Sequence, residues 1–261
     1  MAVNTIIWDL GGVLIDWNPQ YVFTDNYFES TEKKEYFFSH VCTHDWNEKQ
    51  DEGRSIVEGT LELVAQFPEW EKAIRDYYGR WTDMLNGPIH GTVDIFRQLI
   101  DSAKFRHYAL TNWQADLFNI ALVRYNFLQW FDGRVVSGVE KTRKPFPAFY
   151  QLLLDRYKVN AAEAIFIDDN LRNVKAAEEL GIRSVHFQSP EQLKKELEGL
   201  GVIRGEKKSN KNAGPKDSFG GQARHDVVEA CCEFKNIWSL ATLLEYVTPN
   251  TCCWGSFEAL R

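Results

Sequence analysis

Beyond Gly87-Pro88 the chain alternates between two periodicities, and that alternation leaves few folds open to it. Helical spacing runs from Val93 to Ile100, and a β-rich run from Phe105 to Leu110 ends at Thr111. Asp116 to Tyr125 is helical again, followed by a short strand from Gly133 to Ser137. A helix from Pro147 to Tyr157 precedes an apolar strand from Ala164 to Ile167, which stops at Asp168. Asn173 to Leu180, Ser184 to Phe187 and Gln192 to Leu200 repeat the pattern as helix, strand and helix. Strands separated by helices must run parallel, because each helix returns the chain to the same edge of the sheet. The opening run Thr5-Ile6-Ile7-Trp8 supplies one more strand; it ends at Asp9, with Gly11 and Gly12 marking a tight turn. The class is therefore α/β, with a doubly wound parallel sheet.

One segment breaks the alternation. From about Asn18 to Leu85 the spacing is helical, as in Ile56, Leu61, Val64 and Ala65, or Trp70, Ile74, Tyr77 and Tyr78, and no strand is evident. This predicts a core built from residues 1–15 and 87–203 with a helical insertion at 16–86. Residues 204–224 are basic and rich in Gly, Ser, Asn and Lys, a flexible-linker composition. In the extension at 225–261, Val227, Cys231, Phe234, Trp238 and Ala241 recur every three or four residues. That spacing suggests an amphipathic helix, suited to docking on the core or to joining a second subunit as a homodimer.

Composition narrows the function classes. A net charge of −7 offers no electrostatic footprint for nucleic acid. No apolar run approaches the 18 residues of a spanning helix, and Met1-Ala2-Val3-Asn4-Thr5 lacks signal-peptide character, so a soluble cytoplasmic protein without a membrane partner is expected. Cys42 stands alone in the first 230 residues, which argues against a disulfide framework. Cys231, Cys232, Cys252 and Cys253 form two adjacent pairs without the spacing of a zinc site.

The informative polar residues fall where a parallel sheet binds ligands, just past the carboxyl ends of its strands. Asp9 follows the first strand, Thr111 and Asn112 the second, and Asp168 and Asp169 a third. Asp9 can cap a helix or act as a nucleophile on an electrophilic centre. Two adjacent carboxylates at a buried strand end repel each other unless a cation neutralises them, and Mg2+ favours such oxygen ligands together with substrate phosphate. Thr111 and Asn112 offer a hydroxyl, an amide and backbone N–H groups to a phosphate, or an ordinary cap. Lys144, in Arg143-Lys144-Pro145, can act as a mobile point charge on phosphoryl oxygens.

Taken in order, Ile6-Ile7-Trp8-Asp9-Leu10-Gly11-Gly12-Val13, Leu110-Thr111-Asn112, Arg143-Lys144-Pro145 and Phe166-Ile167-Asp168-Asp169-Asn170 resemble the four motifs of the haloacid dehalogenase superfamily. The resemblance implies a Rossmann-like core, a helical cap, and Mg2+-dependent hydrolysis of a small phosphorylated substrate. By position, Asp9 resembles the nucleophile, and the metal would be held by Asp9, the Gly11 carbonyl and Asp169, with Asp168 acting directly or through water. Thr111, Asn112 and Lys144 would hold the transferring phosphoryl group.

The chain departs from the usual phosphatase pattern at Gly11, where a second Asp serves as general acid and base. The DLG form is similar to a glucose-1-phosphate phosphatase-type subgroup. Asp16, His44 and Asp45 are candidates for the missing proton donor, each also fit for a structural role. Trp17 and Trp113 follow the first two motifs and, like Trp46 in the inserted segment, are candidates for stacking on a substrate ring or for core packing. Trp46-Asn47-Glu48 and Asp51-Glu52-Gly53-Arg54-Ser55 form a polar cluster expected to face the site, in which Arg54 can bind a substrate anion or form a surface ion pair. Two alternatives stand beside the phosphatase: a 2-haloacid dehalogenase, against which the paired aspartates argue, and a catalytically weak binding protein, for which Gly11 argues.

Overall fold

The computed structural model describes residues 2–204; the linker and extension expected at 204–224 and 225–261 lie outside the described residues apart from Arg204. Strand β1 (Thr5–Trp8) is buried along its whole length and forms the centre of a five-stranded parallel sheet, in the order β5 (Gly133–Val136), β4 (Arg106–Thr111), β1, β6 (Ala164–Asp168) and β7 (Arg183–His186). The chain leaves β1 through β2 (Ile15–Trp17) into an insert of short helices. These are α1 (Asp25–Phe28), α2 (Thr31–Tyr36), α3 (His44–Asp51), α4 (Ile56–Gln66) and α5 (Glu71–Gly79). It returns through β3 (Leu85–Pro88), which pairs antiparallel with β2. This two-stranded ribbon differs from the all-helical reading of the segment.

The remainder alternates as the sequence predicts. In order it comprises α6 (His90–Asp101), β4 (Arg106–Thr111), α7 (Ala115–Arg124), β5 (Gly133–Val136) and the short α8 (Ser137–Glu140). These are followed by α9 (Pro147–Tyr157), β6 (Ala164–Asp168), α10 (Leu171–Glu179), β7 (Arg183–His186) and α11 (Pro190–Gly199). Among the described residues no helix is long and apolar enough to cross a membrane.

Alternation of side chains along each strand divides the core in two. Ile6 and Trp8 join one cluster with Phe96, Leu99, Phe118, Leu193 and Leu197, from α6, α7 and α11. Ile7 faces the other side with Phe149, Tyr150 and Leu153 of α9 and Phe166 of β6. Helices on both faces explain why the strands are apolar on both faces. The sheet grows outward from β1 in both directions, so the chain order reverses beside β1. A crevice forms at such a switch point, outside the carboxyl ends of the central strands.

Phe96 is fully buried, with its ring centroid 5.1 Å from that of Trp8 and 4.6 Å from that of Phe131. Phe96→Ala removes that packing and leaves a cavity, at a cost of about 3–5 kcal/mol. Urea denaturation should therefore give a lower midpoint at unchanged m-value.

Candidate active site

The carboxyl ends of β1, β4 and β6 converge on a buried ammonium. Lys144 is completely inaccessible, and its Nζ lies 2.8 Å from Asp9 Oδ1 and 2.7 Å from Asp168 Oδ2. Its backbone is clamped by Asn112, whose Oδ1 accepts from the Lys144 N–H at 2.8 Å while Nδ2 donates to the Lys144 carbonyl at 2.9 Å. Burial alone would push the lysine down, but the carboxylates of Asp168 and Asp9 outweigh it and hold the ammonium above its ordinary range.

Asp168 is fully engaged. Besides Lys144, its carboxylate accepts the Asn170 N–H at 2.8 Å and the Asn173 Nδ2 at 3.1 and 3.2 Å. Asp169 instead lines a cavity of about 490 Å3, shared with Asp9, Gly11, Gly12, Asn112 and Lys144. Carboxylate oxygens of Asp9, Asp168 and Asp169 lie within 4.8 Å of one another. Burial raises Asp9 above the usual carboxylate range; Lys144 opposes this, and the neighbouring Asp168 and Asp169 add to it. Asp169 is raised for the same reasons, burial first and then Asp168. Three carboxylates against one ammonium leave surplus negative charge on an oxygen-only donor set, which suits a hard divalent cation such as Mg2+.

The two glycines after Asp9 differ in kind. Gly12 has φ +73°, and a Cβ there would overlap the Asp169 carboxylate. A Cβ on Gly11 would meet nothing within 4 Å. Gly12 therefore admits the Asp169 carboxylate, whereas Gly11 leaves open space on the cavity wall.

The insert supplies much of the remaining lining, including His44, Asn47, Glu48 and Asp51 of α3 and Tyr77 of α5. Glu48 is buried and held by two residues of the core. Arg143 Nη2 lies 2.8 Å from Glu48 Oε2, and Arg172 Nη2 pairs with Oε1. Trp17 and Trp113 also line the cavity, together with Trp81. Thr111 is buried as the last residue of β4, and the cavity lining begins with the next residue, Asn112.

Several expected positions turn out to lie elsewhere. Trp46 is buried inside the insert, its Nε1–H donating to the Gly59 carbonyl at 3.1 Å and its ring edge-on to Tyr77. Arg54 is spent on Gln50 and Glu62, with Nη1 2.7 Å from Glu62 Oε2. Asp16 accepts from Tyr21 and Asn86 at the ribbon, and Asp45 is exposed; neither lines the cavity. In place of Trp46 and Arg54, the sequence reading missed Tyr77, Trp81 and the Arg143–Glu48–Arg172 grouping. Arg143 stands beside Lys144 and Glu48 stands in the polar stretch of the insert, but no local signal pairs the two.

A profile of haloacid dehalogenase-like hydrolases matches residues 3–181. The chain belongs to that family. Among curated proteins it is 39% identical over 82 residues to a sesquiterpene phosphatase of Aspergillus oryzae, covering 31% of this chain and 41% of the relative. It is 24% identical over 192 residues to a phosphorylated carbohydrates phosphatase of Thermotoga maritima, covering 70% and 84%. Four curated relatives of 30–44% identity align over only 6–42% of their own length. The fold resembles that of a haloacid dehalogenase family enzyme of Bacteroides thetaiotaomicron, whose wild-type form was crystallised with magnesium and inorganic phosphate. The TM-score is 0.54 at 20% identity, over 72% of this chain and 96% of that one.

Gly11→Ala should leave the thermal midpoint nearly unchanged, whereas Gly12→Ala should destabilise by more than about 1 kcal/mol, through both positive φ and the Asp169 clash. Lys144→Met removes the ammonium that Asp9 and Asp168 share and should cost about 3–5 kcal/mol. Asp9 and Asp169 sit above their unfolded range even beside the lysine and rise further without it, so falling pH protonates and relieves them. The deficit measured by urea denaturation should be larger at pH 8 than at pH 5.

Proposed function

We propose that the chain is a Mg2+-dependent phosphatase that hydrolyses a small phosphorylated metabolite through an aspartyl-phosphate on Asp9. The observation that carries this reading is the buried Lys144 ammonium, 2.8 Å from Asp9, beside carboxylates that carry surplus negative charge. Asp9 Oδ lies at the cavity surface as the nucleophile, and Lys144 draws the phosphoryl oxygens toward it while favouring the ionised carboxylate against burial. Asp168 acts through Lys144, Asn170 and Asn173, fixing the ammonium and the loop that carries Asp169. Asp9, Asp169 and the Gly11 carbonyl would hold Mg2+, which supplies charge neutralisation for the phosphoryl group. Asn112 acts in two ways: its side chain fixes Lys144, and its backbone N–H, just past the buried Thr111, offers a donor to phosphate. The named activities of the Aspergillus and Thermotoga relatives support the same reaction class.

The inserted helices act as the cap that determines the substrate. Trp17, Trp81 and Trp113 line the cavity, and aromatic faces of this kind receive the apolar face of a sugar ring or another compact body. A sugar phosphate is accordingly the first class to assay. The competing dehalogenase reading lacks support from the acid cluster, since halide displacement by a single aspartate needs no second acid or cation.

A panel of phosphate monoesters should be turned over with Mg2+ and not with EDTA. Asp9→Asn should lower kcat by about 10³-fold or more, as loss of a nucleophile does. Halide release from a 2-haloacid without metal, with no phosphate release, would overturn the assignment.

A further inference from the structure

The open space at Gly11 leaves one role unfilled. A leaving alkoxide needs a proton, and among the described residues the core offers none from the position after Leu10. Most other ionisable groups on the cavity are committed. Lys144 is paired with two carboxylates, Asp169 belongs to the acid cluster, and Glu48 is held between Arg143 and Arg172. Tyr77 is buried and its hydroxyl is pushed far up by burial, with Asp51 and Cys42 adding to it. Cys42 is likewise raised by burial. His44 stands at the solvent edge, its side chain 68% exposed and Nδ1 3.5 Å from Glu48 Oε1.

That leaves Asp51, at the end of α3, on the same cavity as Asp9. Its carboxyl is held from two sides. Asn47 Nδ2 donates to Asp51 Oδ2 at 2.9 Å, and Asn47 is itself fixed by the Tyr78 hydroxyl, which donates to its Oδ1 at 2.9 Å. The Gln114 backbone N–H, just past the Thr111-Asn112 turn, reaches the carboxyl from the core. The Asp51 carbonyl also accepts from the Ser137 hydroxyl, so this residue joins insert to core.

We propose that Asp51, contributed by the insert, is the general acid and base of the reaction, in place of the side chain that Gly11 lacks. The inference rests on the phosphatase reading above. As the Asp9 carboxylate attacks phosphorus, the bond from phosphorus to the leaving oxygen breaks, and its electron pair takes the proton of the Asp51 carboxyl. The alcohol departs and Asp51 is left ionised. Asp51 then removes a proton from the water that attacks the phospho-aspartate. Breaking of the phosphorus–oxygen bond to Asp9 releases inorganic phosphate, returns Asp9 as the carboxylate and leaves Asp51 protonated again.

The surroundings favour a protonated resting state. Burial pushes Asp51 up to about 7, Glu48 on the same helix adds to this, and the Gln114 N–H and Arg143 oppose it. Tyr77 and Tyr78 of α5 also face it and remain neutral, both raised by burial. A folded value above the unfolded one means that the acid form is present below about pH 7 and is lost as pH rises through it.

The test uses the full chain with Mg2+ and two substrates, p-nitrophenyl phosphate and an alkyl phosphate. Asp51→Asn should lower kcat/KM for the alkyl ester by about 10²–10³-fold, the scale of a lost general acid. The loss for the p-nitrophenyl ester, whose leaving group needs little protonation, should be less than about tenfold at that scale. The alkaline fall of the wild-type alkyl-ester kcat/KM profile near pH 7 should disappear. Gly11→Asp, placed in the open space, should recover at least about tenfold of the alkyl-ester loss in the Asp51→Asn background. Equal losses on both substrates, an unchanged pH profile, or the same signature from His44→Gln instead would overturn the assignment to Asp51. A wild-type protein that hydrolyses neither ester overturns the phosphatase reading, and this inference with it.

Discussion

Everything at the sheet's carboxyl edge is arranged around one ammonium withdrawn from water. Lys144 could not remain charged there alone, because desolvation costs several kcal/mol per ion. Asp9 and Asp168 make the charge tolerable, and the Asn112 amide holds the lysine backbone so that Nζ meets both. Strands β1, β4 and β6 each contribute to that arrangement at or just beyond their ends, so their parallel register and the site's electrostatics are one constraint. A lysine on a flexible surface loop would give neither the fixed distance nor the fixed charge.

The acid cluster and the insert answer different demands. In the core, Gly12 lets the Asp169 carboxylate approach the turn after β1, which concentrates negative charge. In the insert, α3 presents Asn47, Glu48 and Asp51 to the same cavity, while Arg143 and Arg172 reach across from the core to Glu48. The lining is thus composite, and its polarity depends on residues far apart in sequence. Trp17, Trp81 and Trp113 add the apolar surface on which a ligand body can rest.

How much of this was legible depends on whether the signal was local. An apolar run closed by an acid marks a strand end by itself, which is why Thr5–Trp8 and the neighbourhood of Asp168 read correctly. Pro147 sets the first turn of α9, so that helix was placed to the residue. By contrast α6 begins at His90, before its first apolar position, and no side chain caps it. Strand β3 contains Gly87 and Pro88, residues disfavoured in strands; only its distant partner β2 makes it one. Trp46 sits in a polar stretch and so read as a substrate contact, but its indole N–H is satisfied by a carbonyl in the following helix. Asp51 stood out only as one member of a polar stretch, with Asn47 one turn before it. The rest of its surroundings come from α5, from the turn after β4 and from the loop before α9, and no window of sequence contains them together.

The β2–β3 ribbon has a consequence for how such a chain can change. Because Ile15 pairs with Pro88 and Trp17 with Leu85, both crossings out of the core lie side by side, and the intervening segment is a loop closed at its neck. The entropy of closing a loop grows only slowly with its length, by about 0.6 kcal/mol per doubling for a flexible chain. The core is therefore almost indifferent to the number of residues inserted there. Insertions, deletions and wholesale replacement between the two strands alter the chamber while the sheet keeps its register, so substrate range and chemical machinery can drift at different speeds.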